Sequence, residues 1–393
     1  MQKTLALLSL GLGVVFGNPN TPVLSKMPPS AVNVAKGAVP SRQQDFLGLD
    51  EQIWGNQNQP GDQQALLQSI DNSLRYLQTP EAAATYQTYL MPDITVDRVR
   101  RSLLRFRQLV LSAKSPQELQ AAVRREFTFY QSVGSDDKGK VLFTGYYEPV
   151  YKASRTRTAE YRYPLYQLPA DFTSWSKPHP KRADLEGVDG LGEKSLLKGA
   201  ELVWLRDRME AYLVQIQGSA KLQLTDGSVM SIGYAGGTDY PYTSIGRELA
   251  KDRKLSLNGM SLPVMINYFK RNPVELSNYL PRNQRFVFFQ DTYGSPAKGV
   301  INVPVTPDRS IATDKSLMPP AALALVQTQL PYRTANGQIQ QRLVNRYVLD
   351  QDTGSAIKGP GRVDYFMGSG KVAGDRAGVT GSIGKLYYLL LRQ

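Results

Sequence analysis

Short apolar and aromatic runs dominate the chain from Val141 onward, and clusters of Gly, Pro, Asp and Asn separate them. Turn residues at such short intervals leave little room for long helices, so the runs are typical of β-strands. Many short strands with few helices favour barrels over a doubly wound parallel sheet. We expect strands at 141–147, 161–166, 210–217, 221–224, 229–234, 286–289, 300–305 and 346–349.

The pair Asp226-Gly227 lies between two of these runs and predicts a hairpin. Its turn is expected to be type I′, in which both central residues take positive φ. Helices are expected to interrupt the strands at 244–255, 261–271 and 321–329. This part of the chain is therefore predicted to be mainly β with some α.

Helical periodicity marks the region before Val141. A first helix has its apolar residues on one face, namely Leu66, Leu67, Ile70, Leu74 and Leu77. A later helix begins at Ser115-Pro116-Gln117-Glu118, where a capping box is combined with proline at the first helical position. Arginines on the helix between them are expected on a solvated face: Arg98, Arg100, Arg101, Arg105 and Arg107. The sequence predicts a helical cap ahead of the strands.

The first residues resemble an export signal. Met1-Gln2-Lys3 precedes an apolar run from Thr4 to Gly17, and a loose stretch follows to Arg42. We therefore interpret residues 1–43 as a signal or anchor with a linker, and expect an exported, periplasmic or cell-envelope protein. The run is short for a membrane span, so cleavage and membrane association through an uncleaved anchor both stay open. A lipoprotein is excluded because there is no cysteine to acylate.

The formal net charge is +13, which suits an anionic partner such as an acidic polymer. Nucleic acid is not expected, since the chain is predicted to be exported and carries no recognisable nucleic-acid-binding motif. We expect a monomer.

Few side chains are available for chemistry. The chain has no cysteine and one histidine, His179, so zinc sites of the Cys/His type are excluded and a triad would depend on this residue alone. His179 lies between prolines in a loop that is expected to be exposed, where a base is poorly held. Carboxylates, lysines and tyrosines remain, and Asp352 and Asp364 lie in a segment too glycine-rich for a helix. No metal or cofactor is expected.

A series of ordered motifs extends from Phe143 to the C-terminus. These are Phe143 to Pro149, Tyr163 to Tyr166, Gln215 to Ala220, Gly233 to Gly236, Ser244 to Arg247, Arg309 to Ala312 and Asp352 to Gly368. Together they closely resemble the membrane-bound lytic murein transglycosylase A family.

The resemblance implies a double-psi β-barrel with N-terminal helices, interrupted by an inserted second β-barrel domain, with a groove between them that binds glycan strands of peptidoglycan. The discontinuous catalytic (3D) domain would comprise 44–149 and 288–393, and the insert 150–287. The implied activity is cleavage of the β-1,4 bond between MurNAc and GlcNAc with formation of 1,6-anhydro-MurNAc ends.

The resemblance assigns the catalytic aspartate to Asp364 within an Arg-x-Asp-aromatic-aromatic segment, and an aspartate trio to Asp314, Asp352 and Asp364. Substrate-binding positions are implied at Thr144, Tyr147, Gln217, Ser219, Asp352, Ser355 and Lys358. We expect the carboxylate of Asp352 to accept hydrogen bonds from the glycine-rich turn that follows it or to orient the groove, and direct proton transfer by Asp352 stays open as the alternative. Two departures from the family pattern, Gly354-Ser355 and the stretch after Asp314, lie away from the acid.

Ordinary glycosidases use two carboxylates, whereas a lytic transglycosylase needs one because the C6 hydroxyl of the sugar is itself the nucleophile. Asp364 would have to be protonated at rest, so a raised pKa is expected, from burial among Val363, Tyr365 and Phe366. A hydrolase acting in the same groove and a non-catalytic, expansin-like glycan-binding protein stay open as alternatives.

Overall fold

The computed structural model describes residues 23–28, 46–56, 59–193, 195–334 and 336–393. The expected leader and most of the expected linker lie outside the described residues. None of the helices in the described ranges is long and apolar enough to cross a membrane.

The described chain forms two compact units. The barrel unit comprises the described residues up to Gly145, then Lys298–Phe366 and Thr380–Gln393, and the insert unit comprises Tyr146–Ala297 and Met367–Val379. The insert unit contains the whole of the expected insert, 150–287, and extends beyond it at both ends.

The helices and strands are as follows. The α-helices are α1 Gln63–Tyr76, α2 Pro80–Gln87, α3 Val96–Ser112, α4 Pro116–Glu126, α5 Arg182–Glu186, α6 Arg208–Gln217, α7 Ile245–Lys251, α8 Leu262–Arg271, α9 Glu275–Tyr279 and α10 Gly370–Ala377. The 3-10 helices are Glu51–Ile53, Phe172–Ser174 and Leu280–Arg282. The strands are β1 Leu24–Lys26, β2 Gly55–Asn56, β3 Gln59–Pro60, β4 Phe127–Ser132, β5 Val141–Glu148, β6 Val150–Ser154, β7 Tyr163–Tyr166, β8 Glu201–Leu205, β9 Ser219–Leu224, β10 Val229–Gly237, β11 Val287–Asp291, β12 Ser310–Ala312, β13 Leu323–Arg333, β14 Ile339–Asp352, β15 Arg362–Ser369 and β16 Gly381–Leu391.

A closed barrel forms the centre of the barrel unit. Its strands follow one another in the order β16, β13, β14, β12, β15 and β5, and β5 pairs back onto β16 to close the ring. The pairing of β12 with β14 is parallel, and β12 pairs with β15 in the antiparallel sense. Closure leaves no free sheet edge within the ring. Strands β4 and β1 extend the sheet outward from β16, so part of the expected linker forms a strand.

The N-terminal helices cover this sheet. Helix α3 begins after Thr95, whose hydroxyl accepts a hydrogen bond from the backbone N–H of Arg98, and its apolar residues Val99, Leu103, Phe106, Leu109 and Val110 are buried. Arg98 does not lie on a solvated face as expected. Its guanidinium is buried and donates to the backbone carbonyl of Leu391 in β16. The prediction for Arg98 was wrong because one arginine of the series lies at a helix position that faces the sheet.

A buried ion cluster joins the chain around Asp50 to the barrel. Its carboxylate lies 2.6 Å from Arg309 Nη1 and 2.7 Å from Arg346 Nη1, and it accepts a hydrogen bond from the backbone N–H of Tyr347 at 3.0 Å. Arg309 also pairs with Asp62, the residue just before α1. The helical region is thereby held by charge as well as by apolar packing.

A second barrel lies in the insert unit. Its sheet has the order β11, β10, β9, β6, β8 and β7, and a bridge between Gln167, just after β7, and Phe289 in β11 joins the two ends. Apolar side chains from both sides of the ring form its core, among them Leu165, Val203 and Phe289. The expected class is therefore confirmed: a mainly β chain with N-terminal helices, a barrel and an inserted second barrel.

Three predicted elements were wrong. Residues 210–217 form the helix α6, because Asp207 accepts a hydrogen bond from the N–H of Glu210 and Gly218 ends the helix in a left-handed conformation. Of the predicted helix at 321–329, residues 323–329 belong instead to strand β13, which lies between β14 and β16. Its continuous apolar run is buried on both faces and does not show strand alternation. Residues 300–305 form turns with one isolated bridge.

The hairpin at Asp226-Gly227 is present between β9 and β10, but its turn differs from type I′. The N–H of Leu224 donates to the carbonyl of Ser228, so three residues form the loop, and only Gly227 among them has positive φ. This is the three-residue hairpin with a left-handed glycine at its end. His179 is buried rather than exposed, with its ring 4.9 Å from that of Phe172.

Candidate active site

Asp364 is the third residue of β15 and lies in the barrel unit. Side chains alternate along a strand, so Asp364 shares its face with Arg362 and Phe366, while Val363 and Tyr365 point the other way. Two of the three residues expected to bury the carboxyl therefore face away from it. The Asp364 side chain is nevertheless only 14% exposed, because β12 and β5 flank its strand on both sides.

The electrostatics of Asp364 are set by two opposing effects. Burial raises the pKa of the carboxyl above its ordinary value, while the positive charge of Arg362 and a hydrogen bond from it favour the charged form and limit that rise. Arg362 Nη2 lies 3.4 Å from Asp364 Oδ1. The raised pKa expected from the sequence is found, and it suits an acid that must hold its proton at rest.

Thr144 is connected to Asp364 through the same arginine. Its side chain is buried in β5, and Oγ1 accepts a hydrogen bond of 2.9 Å from Arg362 Nη2. One guanidinium nitrogen therefore faces both Thr144 and Asp364. Sequence reasoning quoted Arg362 within the catalytic segment but did not select it as a site residue. Strand periodicity is the signal that would have found it, since positions 362 and 364 share a face.

Asp352 lies in the same row of the sheet as Asp364, on the other side of β12. Ala312 is the pairing partner of both residues, which separates their Cα atoms by two strand spacings, about 9–10 Å. The Asp352 carboxylate accepts hydrogen bonds from the backbone N–H groups of Thr353 at 2.8 Å and Val300 at 3.0 Å. The hydrogen bond from Thr353, in the following turn, agrees with the expectation for Asp352.

The loop after Asp352 carries two of the predicted binding residues. Ser355 and Lys358 are both exposed. Asp314 is buried beneath this loop and accepts a hydrogen bond of 2.9 Å from the backbone N–H of Gly359. Asp314 thus holds the loop in place, whereas Ser355 and Lys358 are free to meet a ligand.

Sequence reasoning missed a buried acid in the barrel, Asp350. Its carboxylate lies 2.6 Å from Lys315 Nζ and accepts hydrogen bonds of 2.7 Å from the hydroxyls of Thr313 and Tyr388. A β-bulge interrupts the strand alternation here: Asp350 pairs with Ile311 and Asp352 with Ala312, so the two acids lie beside adjacent residues of β12, which face opposite sides of the sheet. Asp350 differs from Asp364 because its charge is fully paired.

In the insert unit, Tyr147 and Gln217 are in direct contact. The backbone N–H of Tyr147 donates to Gln217 Oε1 at 3.0 Å, and Gln217 is the last residue of α6. Ser219 follows at the start of β9, where it pairs with Gly233. The Tyr147 ring packs so closely on Gly374 of α10 that a Cβ there would lie 2.8 Å from ring atom Cε2. These three predicted residues therefore surround the junction of α6 and β9.

Comparison with known proteins decides the family. The sequence profile of the MltA specific insert domain matches residues 142–290, and that of the 3D domain matches residues 309–390. Membrane-bound lytic murein transglycosylase A of Escherichia coli K12 is 31% identical over 262 residues, which are 66% of this chain and 68% of that protein. The chain belongs to the membrane-bound lytic murein transglycosylase A family.

Solved structures of murein transglycosylases support the fold of this family member. The crystal structure of E. coli MltA with bound chitohexaose covers 100% of both chains with a TM-score of 0.67, at 24% identity, which bears on the fold alone. The lytic transglycosylase LtgG of Burkholderia pseudomallei has 30% identity and a TM-score of 0.52, over 98% of this chain and 99% of that one. The two matched domains fall on the two barrels, and the resemblance seen in the sequence is confirmed.

Proposed function

We propose that this protein is a lytic transglycosylase of the cell envelope that cleaves the β-1,4 bond between MurNAc and GlcNAc in peptidoglycan. Membership of the family supports murein cleavage, since relatives carry that activity in their names. The observation that carries the mechanism is Asp364, a nearly buried carboxyl whose pKa is raised. It is the side chain best suited to deliver a proton and later recover it.

One carboxyl is sufficient for this reaction. Asp364 first donates its proton to the glycosidic oxygen, and the bond from that oxygen to C1 of MurNAc breaks. The C6 hydroxyl of the same sugar then attacks C1, and the Asp364 carboxylate accepts the proton that the hydroxyl loses. Because the nucleophile belongs to the substrate, no water has to be positioned and the attack has a large effective molarity. The product is a 1,6-anhydro ring, and Asp364 ends in its starting state.

The other predicted residues are proposed to hold the glycan. Thr144, Ser355 and Lys358 offer hydrogen bonds from the barrel unit, and the ring of Tyr147 with the polar side chains of Gln217 and Ser219 suits the apolar faces and hydroxyl edges of sugars. Asp352 is proposed to keep the loop that carries Ser355 in shape. We also propose that the protein acts as a monomer and that its N-terminal segment directs export, with membrane association as the alternative to cleavage.

The test is the Asp364→Asn variant on purified sacculi, with released muropeptides identified by mass. We expect wild type to release products with 1,6-anhydro ends and the variant to lose several orders of magnitude in rate. Near-normal turnover in the variant would end the assignment of Asp364. Products heavier by one water would indicate a hydrolase, and binding of sacculi without any release would indicate an expansin-like protein.

The variant is expected to remain folded, which makes its loss of activity interpretable. The pKa of Asp364 is higher in the folded chain than the ordinary aspartate value, so wild type loses folding stability as pH rises from about 4 through the folded pKa. Asparagine cannot ionise and avoids this loss. The melting temperature of the variant at neutral pH should therefore be no lower than that of wild type.

A further inference from the structure

Arg362 has an unusual environment for a buried arginine. Its side chain is 6% exposed, and Nη2 is the nitrogen that reaches Thr144 Oγ1 at 2.9 Å and Asp364 Oδ1 at 3.4 Å. Nε and Nη1 are buried, and neither has a hydrogen-bond partner in the described parts of the chain. Burying a guanidinium with so few partners costs stability. Such a cost is expected where the charge serves function.

Arg309, in the same unit, shows what a structural arginine looks like. It is fully buried and forms ion pairs with both Asp50 and Asp62, so its charge is more than balanced. The carboxylate of Asp364, in contrast, is the one acid within ion-pair distance of Arg362 among the described residues. The positive charge of Arg362 is therefore directed at the residue that transfers the proton.

Among the described residues, Arg362 is the one charged group within ion-pair distance of Asp364, and Asp352, in the same row of the sheet, is about 9–10 Å away. Strand β12, on one side of β15, carries Ser310, Ile311 and Ala312, none of which titrates. The part of β5 that belongs to the barrel unit, 141–145, carries apolar residues, Thr144 and a glycine. Arg362 is thus the charged group that opposes the effect of burial on Asp364.

We propose that Arg362 is a positioning residue that balances Asp364 between its acid and base states during the reaction, an inference that rests on the proposed function. The 3.4 Å separation is too long for a strong hydrogen bond to the neutral carboxyl. When Asp364 has given its proton to the glycosidic oxygen, the carboxylate attracts Nη2 and the contact tightens. The positive charge therefore stabilises the state in which the glycosidic bond has broken more than the resting state, which is the condition for lowering a barrier.

This role predicts a shift in the pH profile. The reaction begins with protonated Asp364, so kcat/KM falls as pH rises through the pKa of that carboxyl. An opposite charge at this distance depresses a carboxyl pKa by about 1–3 units. Removing the charge in Arg362→Met should move the alkaline limb of kcat/KM upward by at least about one pH unit, with a rate loss of about tenfold to a hundredfold. Arg362→Lys restores the charge and should return the limb towards its original position.

The experiment compares Arg362→Met and Arg362→Lys with Arg342→Met, in which a half-buried arginine over the ring of Tyr332 is removed from the same unit. Release of soluble muropeptides from sacculi is followed from acid to alkaline pH, and each variant is melted to confirm folding. The titration of Asp364 is also read directly by carboxyl carbon NMR, with the resonance identified by its loss in Asp364→Asn. We expect the Arg342 control to leave the limb and the titration in place.

An alkaline limb that stays at the wild-type pH in Arg362→Met overturns the proposal, whatever the loss of rate, because a merely structural arginine would lower activity without moving the limb. A limb in Arg362→Lys that matches the Met variant overturns it as well. If Arg362→Met does not fold, Arg362→Gln takes its place, and the NMR titration of Asp364 decides. If wild type releases no anhydro products, the proposed function fails separately, while the titration still shows whether Arg362 acts on Asp364.

Discussion

Replacing Asp50 by asparagine should strongly destabilise the barrel unit. Asp50 is fully buried, and burial alone would raise its pKa, but Arg309 and Arg346 outweigh that effect and hold the pKa below its ordinary value. The residue is therefore charged in the folded protein. The Asp50→Asn variant keeps the shape of the side chain and removes the charge that the two arginines share.

The size of the loss follows from what remains around each arginine. Arg309 keeps its ion pair with Asp62, whereas Arg346 keeps the hydroxyl of Tyr332 but no carboxylate within ion-pair distance among the described residues. Breaking a buried pair from one side costs about 3–5 kcal/mol. For a unit of this size, that corresponds to a fall in melting temperature of about 6–20 °C.

Tryptophan fluorescence can report on this unit alone. Trp54 lies beside the Asp50 cluster in the barrel unit, and the other two tryptophans, Trp175 and Trp204, lie in the insert unit. In a background with both of these replaced by phenylalanine, urea unfolding followed at Trp54 measures the free energy of unfolding of the barrel unit. The Asp50→Asn variant is compared with its parent in that background.

Asp71→Asn is the matched control, because it removes an aspartate that also pairs with an arginine at 2.7 Å but is 42% exposed. An exposed pair contributes less than about 1 kcal/mol. If Asp50→Asn loses no more stability than Asp71→Asn, the reasoning about burial and charge in this cluster is refuted.

Two further predictions concern the insert unit. Burial and the nearby charge of Asp207 raise the pKa of Glu210 from 4.5 to about 7. Wild type should therefore lose stability as pH rises through 7, and Glu210→Gln should be more stable than wild type above that pH by up to about 2 kcal/mol. A difference in melting temperature between the two proteins that is the same at pH 5 and pH 8 would contradict this. In Gly374→Ala, the new Cβ would lie 2.8 Å from the Tyr147 ring and must displace it, so KM for murein should rise by about tenfold while kcat changes little. Alanine favours the helix, so the variant is expected to stay folded, and its melting temperature distinguishes displacement of the ring from unfolding. An unchanged KM in a folded variant would exclude a binding role for Tyr147.

Local sequence signals were sufficient for some elements. The helix after Ser115 was predicted from its cap, and the strand at Val141 from its apolar and aromatic run between turn residues, and both are present. Segments buried on several sides were misread. The run at 321–326 is apolar and buried throughout, and no periodicity distinguishes such a strand from a buried helix.

His179 and Arg98 show a similar limit. A loop flanked by prolines and a helix rich in arginine both suggest exposure, yet both side chains are buried. Arg98 lies against the backbone carbonyl of Leu391, which is far away in sequence. Burial at such positions is decided by which distant segment packs against them, and composition does not contain that information.

The family and the candidate acid could be predicted from the sequence, because the ordered motifs from Phe143 to Gly368 are specific and Asp364 lies in a recognisable place within them. The absence of cysteine and the single histidine also favoured carboxylate chemistry. The surroundings of Asp364, in contrast, depend on which distant strands pair in the fold. Arg362 meets Thr144, 218 positions away, because β15 and β5 are neighbours in the closed barrel. That adjacency sets the burial and the charge at the carboxyl, and therefore its readiness to release and recover a proton.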